Sequence, residues 1–255
     1  MSKPFQVTKI LIGGEKDHLD EPDIDKIASP FQKPYQSHSF RLMIVGPSGS
    51  GKSNLFLNLL LKVYRGVFTN VYLFCPTYWN DQTLNQLSNI DSQTGEKTLN
   101  DDDIFTFDNV KEITEVVHEK LHEIDNSFKN TPKGEAREKT LMVFDDLTNE
   151  LKTSQIMKDL FTKGRKHEVS VIVMTNKYKV YDPQVRNNCT QLVVFKPTTT
   201  LEKMAIAEDI SGDGKHMVRI MDAVFDDDVR NFMYVDKEAD EKKRYFVNFD
   251  KPLKV

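Results

Sequence analysis

The run Gly46-Pro47-Ser48-Gly49-Ser50-Gly51-Lys52-Ser53 constrains this chain more than any other stretch. It fits the pattern G-x-x-x-x-G-K-[ST] and lies between segments of different periodicity. Upstream, Phe40-Arg41-Leu42-Met43-Ile44-Val45 is an apolar run of strand length. Downstream, Leu55, Phe56, Leu59, Leu60 and Val63 recur at helical spacing and predict a helix over 54–64. A strand, a glycine turn and a helix in that order make a phosphate-binding loop. The glycines let successive backbone N–H groups converge on an anion, and the helix that follows adds its positive end. The expected ligand is ATP with Mg²⁺, held by Gly46, Pro47, Ser48, Gly49, Ser50, Gly51, Lys52, Ser53 and Asn54. In this pattern Lys52 reaches the β- and γ-phosphates and the Ser53 hydroxyl ligates the metal.

Further strands are predicted at Val71–Cys75, Thr140–Phe144, Val169–Met174 and Gln191–Phe195. Amphipathic helices are predicted over 111–128 and about 153–164, and helical stretches near 199–210 and 214–224. Phe232–Val235 and Tyr245–Phe249 read as a closing hairpin. Residues 79–109 are polar and acidic and read as a surface excursion. Apolar strands alternating with helices predict an α/β fold, a mostly parallel sheet covered on both faces. The organisation expected is an N-terminal arm over 1–38, an ATPase core over 39–198, and C-terminal helices and hairpin over 199–255 packed on that core. At 255 residues the chain suffices for one large α/β domain, or one with small appendages. Cys75 and Cys189 lie in apolar surroundings and are expected to be reduced and buried. The start lacks the apolar core of a signal peptide. The longest apolar stretches fall well short of the roughly 20 residues of a membrane span. A net charge of −4 argues against constitutive nucleic-acid binding by a monomer, but not against a ring that gathers basic side chains around a pore.

Asp145 follows four apolar residues and so ends a buried strand, the edge at which open α/β sheets bind ligands. It is the expected Mg²⁺ holder, and Asp146 the expected base that orients the attacking water. Asn176, after the fourth strand, is placed to bond the γ-phosphate or the water as a sensor. Arg165 and Arg186 are candidates for the arginine that stabilises γ-phosphate charge, within the subunit or from a neighbour. His118-Glu119-Lys120-Leu121-His122 fits the zinc-protease pattern H-E-x-x-H, but both histidines fall on the face opposite the apolar stripe, and no third ligand follows. Thr175-Asn176-Lys177-Tyr178-Lys179 resembles the guanine-reading N-K-x-D, with Lys179 where the aspartate belongs, so ATP is the expected nucleotide.

One whole strand separates the phosphate-loop strand from the Asp145-Asp146 strand. In this the chain resembles the additional-strand class of P-loop ATPases, with RecA-like motors and AAA+ proteins. Within that class it is similar to the poxvirus-type genome-packaging ATPases of large DNA viruses and virophages, a branch of the FtsK/HerA superfamily. The likeness rests on Phe40–Ser53, Val71–Tyr78, Asp145-Asp146, Gly164-Arg165-Lys166-His167 and Pro183–Asn188. It departs from many relatives at Asn176, where they carry glutamine, and at Lys166, where they carry histidine. The resemblance implies a three-layer P-loop NTPase core with strand order 5-1-4-3-2. It implies a homo-oligomeric ring, pentamer or hexamer, that threads double-stranded DNA into a preformed capsid. Its partners would be the duplex and a capsid or portal-vertex protein, and its place the virion or host-cell cytoplasm. Lys177, Lys179 and Arg186 are candidate DNA contacts. A cellular HerA- or FtsK-like translocase or helicase shares the same core. An ATP-switched assembly module fits less well, because a switch does not need the base at Asp146.

Overall fold

The structure, a computed structural model, describes residues 38–88, 98–132, 135–228, 230–240 and 243–253. The expected N-terminal arm lies outside the described residues apart from residue 38. Among the described residues one sheet holds β1 (Arg41–Val45), β2 (Asn70–Phe74), β3 (Ile104–Phe105), β4 (Thr140–Asp145), β5 (Val169–Thr175), β6 (Gln191–Phe195), β7 (Phe232–Asp236), β8 (Tyr245–Val247) and β9 (Lys251–Pro252). Its order is β3-β2-β4-β5-β1-β6-β7-β8-β9. The five strands expected from the sequence stand in the order expected, and all pair in parallel. The sheet differs in its margins. β3 is added outside β2, and the C-terminal hairpin with β9 continues the sheet antiparallel beyond β6.

Each central strand is buried on both faces, as a parallel sheet between helices must be. Leu42 and Ile44 of β1 join Leu55, Phe56, Leu59 and Leu60 in one core cluster. These come from α1 (Lys52–Asn58) and the π-helical turn Leu59–Val63 that continues it. Met43 and Val45 face the other way, into a cluster with α2 (Val110–Asn130), α3 (Gln155–Lys163), α5 (Thr200–Ile210) and α6 (Gly214–Asp227). The short α4 (Pro183–Asn188) lies between β5 and β6 in the chain. Each fully buried Leu, Ile or Phe at these positions contributes about 1.5–3 kcal/mol of transfer free energy. Side-chain caps start the helices: Asn109 for α2, Ser154 for α3, Asp182 for α4, Thr199 for α5 and Asp213 for α6.

The segment 79–109 is more than a surface excursion. Leu84, Leu87, Leu99 and Ile104 are buried in the α1-side cluster. Ile104 and Phe105 pair with Leu73 and Phe74, so β3 covers the backbone edge that β2 would otherwise expose. Four apolar residues scattered among acids carry this packing, and they show neither a helical nor a strand period.

Candidate functional site

The register of the parallel strands brings the ends of β1, β4 and β5 to one edge. Val45 pairs with Thr175, and Asp145 with Met174. The Gly46 N–H donates to the Thr175 carbonyl at 3.1 Å, so the phosphate loop springs directly from this edge. Gly49 and Gly51 take positive φ of 75° and 105°, a backbone L-residues rarely adopt. Gly46 is needed for a different reason. A Cβ there would stand 2.6 Å from Ser50 Oγ and 2.7 Å from Phe195 Cβ, because Phe195 at the end of β6 packs under the loop.

Lys52 is the first residue of α1 and is buried. Its three ammonium donors go to the Gly46 carbonyl at 2.9 Å, the Pro47 carbonyl at 3.1 Å and Asn176 Oδ1 at 2.8 Å. Burial holds this ammonium below its ordinary range, against the pull of Asp145 and Asp146. Asp145, at the end of β4, is 5% exposed. Burial pushes its carboxyl up to about 7, the Asp146 charge adds to that, Lys52 opposes it and Asp81 adds further. Asp145 Oδ2 accepts a weak bond from the Cys75 thiol at 3.8 Å. Burial, then the neighbouring Asp145, raises that thiol to about 12, so it stays protonated. Cys75 and Cys189 are both free and buried. Asp146 is exposed at the sheet edge with φ 54°, a left-handed conformation that costs about 1–3 kcal/mol in a non-glycine residue.

The structure therefore gathers Lys52, Ser53, Asp145, Asp146 and Asn176 at one edge with the loop. Their oxygen donors suit a hard cation, and Mg²⁺ above all. Ser50 Oγ is buried without a partner among the described residues. Two residues not singled out from sequence belong to the same edge. Asp81 Oδ2 accepts the Ser53 hydroxyl at 3.4 Å, and Thr77 Oγ1 donates to Asp146 Oδ2 at 3.4 Å. Both follow β2; Thr77 lies in the family-like stretch Val71–Tyr78 without a role assigned to it, Asp81 lies outside every motif, and the topology, which seats β2 beside β4, brings them here.

The arginines lie elsewhere. Arg165 sits in the turn Gly164–His167 that leads into the start of β5, the sheet edge opposite the phosphate loop. There it is exposed and pairs with Glu238 at 2.8 Å. It does not contact the nucleotide site of its own subunit. Arg186 is buried, its guanidinium held by the Tyr181 carbonyl at 3.0 Å, by Asp209 and over the Tyr178 ring at 5.1 Å. That packing excludes it as a γ-phosphate finger or a DNA contact. Lys177 is exposed, and Lys179 pairs with Asp209 at 3.6 Å. His118 and His122 are exposed on α2, lining a cleft of about 300 Å³ with His167. No helix among the described residues is long and apolar enough to cross a membrane.

Known proteins share this fold. The genome packaging NTPase B204 of Sulfolobus turreted icosahedral virus 2, solved with AMP, superposes with a TM-score of 0.61 at 12% identity, covering 86% of this chain and 100% of that one. B204 of Sulfolobus turreted icosahedral virus, described as its DNA-packaging ATPase, gives 0.53 at 16%, over 86% and 100%. The conjugation coupling protein TcpA of pCW3 gives 0.52 at 13%, over 77% of this chain and 57% of that one. Likenesses at such identities speak for a common fold. No curated protein sequence matches the chain. The model of the poxvirus A32 protein family matches residues 30–244, a stretch that contains the phosphate loop, both aspartates and Asn176. The chain belongs to the poxvirus A32 protein family.

Proposed function

We propose that this chain hydrolyses ATP to drive double-stranded DNA into a preformed viral capsid, working as a homo-oligomeric ring where virions assemble. The observation that carries the reading is the convergence of the phosphate loop, Lys52, Asn176 and the Asp145-Asp146 pair on one sheet edge, in a chain of the A32 family. The loop amides and Lys52 take the triphosphate. Residues 46–54 therefore bind and orient, and Lys52 exchanges its bonds to Gly46 and Pro47 for bonds to phosphate oxygens.

Ser53 and Asp145 are the residues that hold Mg²⁺. When bound, the ion neutralises charge on the β- and γ-phosphates. Asp146 is the carboxylate that orients the attacking water and accepts its proton. The water oxygen then bonds to phosphorus as the bridge to the β-phosphate breaks, leaving ADP and phosphate. Asn176, tied to Lys52, links the state of the γ-phosphate to β5 and the loop beyond it. Arg165, being on the far edge, serves the site of a neighbouring subunit, where it stabilises charge on the transferring phosphoryl group. Lys177, exposed on the loop after β5, contacts the duplex backbone in this reading.

Electron microscopy of the purified chain with a non-hydrolysable ATP analogue and a DNA duplex tests this reading. A ring of subunits around the duplex, with nucleotide at the interfaces, is the expected result. Monomers that ignore the duplex would contradict it.

A further inference from the structure

Asp81 is a third carboxylate at the phosphate-loop edge, and the magnesium pattern of serine plus strand-end aspartate does not account for it. Its two oxygens do different work. Oδ1 accepts the backbone N–H groups of Thr83 at 2.7 Å and Leu84 at 3.0 Å. Those bonds cap the short helical turn Leu84–Ser88, whose Leu84 and Leu87 are buried, so the side chain is fixed from below. Oδ2 is not needed for the cap. It points to the Ser53 hydroxyl at 3.4 Å, across 28 positions of sequence. A cap alone explains Oδ1 and leaves the aim of Oδ2 unexplained.

The site's charges are also informative. The charges of Asp81 and Asp146 both reach Asp145, and those of Asp145 and Asp146 both reach Lys52, the opposing cation. A triphosphate brought to that edge meets more negative charge than one ammonium offsets. Mg²⁺ supplies the missing positive charge, and it keeps several waters whose protons need acceptors. Residues that accept from a metal's ligands orient them and tune their affinity.

We propose that Asp81 is the positioning residue of the magnesium site: it orients the Ser53 hydroxyl toward the ion and accepts from the ion's waters, making nucleotide binding depend on the metal. This assignment rests on the Mg-ATP reading of the loop. Asp81 touches no reacting atom. Its effect passes through Ser53 and the metal's waters, so it acts on metal affinity first.

The test is equilibrium binding of a fluorescent ATP analogue to the full chain, titrated with MgCl₂ and repeated in EDTA. Asp81→Asn keeps the Oδ1 acceptor for the cap and removes the charge on Oδ2. The expected result is a Mg²⁺ midpoint raised about tenfold or more, the range found when such supporting residues are removed. Binding in EDTA stays the same or tightens, because one repelling charge is gone. In a cycle with Ser53→Ala the two losses are less than additive, since both variants cut links to the same ion. An Asp81→Asn midpoint equal to that of the unaltered chain overturns the proposal. So does an equal loss of binding with and without metal, which would mark a structural role. Failure of the unaltered chain to bind the analogue at any Mg²⁺ concentration sinks the Mg-ATP reading itself, and is distinguishable from both.

Discussion

Lys52 holds the phosphate-loop edge together, because its three donors tie the loop to Asn176 and so to β5. Lys52→Ala removes both the phosphate contact and that tie, and ATP hydrolysis is expected to fall by about 10²–10³ or more. With the sensor role proposed for Asn176, Asn176→Ala is expected to lower kcat with little change in KM; an equal rise in KM would show that it only helps hold the nucleotide. Gly46→Ala meets Ser50 and Phe195 at under 3 Å, so a destabilisation of about 1–3 kcal/mol is expected, measured as a fall in Tm. Most of these residues were legible in the sequence, because a phosphate loop is a local pattern with a local mechanism. Asp81 and Thr77 were not. They reach the site through the pairing of β2 with β4, which one short apolar run cannot announce. Arg186 misleads for the opposite reason: an arginine beside a strand end reads as exposed, while a half-buried Asp209 partner and the Tyr178 ring draw it inward.

At the scale of elements, the direction of β5 decides what each flanking segment can do. Asn176 leaves its C-terminal end and meets Lys52; Arg165 precedes its N-terminal end and lies a full strand away. A finger at Arg165 thus has to act between subunits. Arg165→Ala and Lys52→Ala chains, each inactive alone, are expected to recover part of the ATPase rate when mixed, because some interfaces then join an intact loop to an intact arginine. No recovery at any ratio would exclude that role. The order of the five central strands was legible from alternating apolar runs together with the family resemblance. The pairing of Ile104–Phe105 was not, since a two-residue strand has no period to read.

For the whole molecule, one continuous sheet among the described residues carries the C-terminal hairpin and the phosphate loop alike, and its stability also rests on groups far from the loop. His38 is an example at the far edge. Its side chain is 4% exposed and its Nδ1 lies 2.9 Å from Ser170 Oγ on β5. Burial, and then Lys139, lower its imidazole to about 4, with a hydrogen bond to the Glu168 backbone carbonyl working the other way. The folded chain keeps the ring neutral, while the unfolded chain protonates it near 6.5. This stability is present above pH 6.5 and is lost as pH falls toward 4. Denaturant melts of His38→Gln should show a shallower acid slope over that window, and an unchanged slope would assign the acid sensitivity elsewhere. The most direct test of the account as a whole is the steady-state ATPase rate with and without linear duplex DNA. Stimulation of several-fold by the duplex, absent in Lys52→Ala, is the expected result. A rate that is the same with and without DNA would contradict the motor.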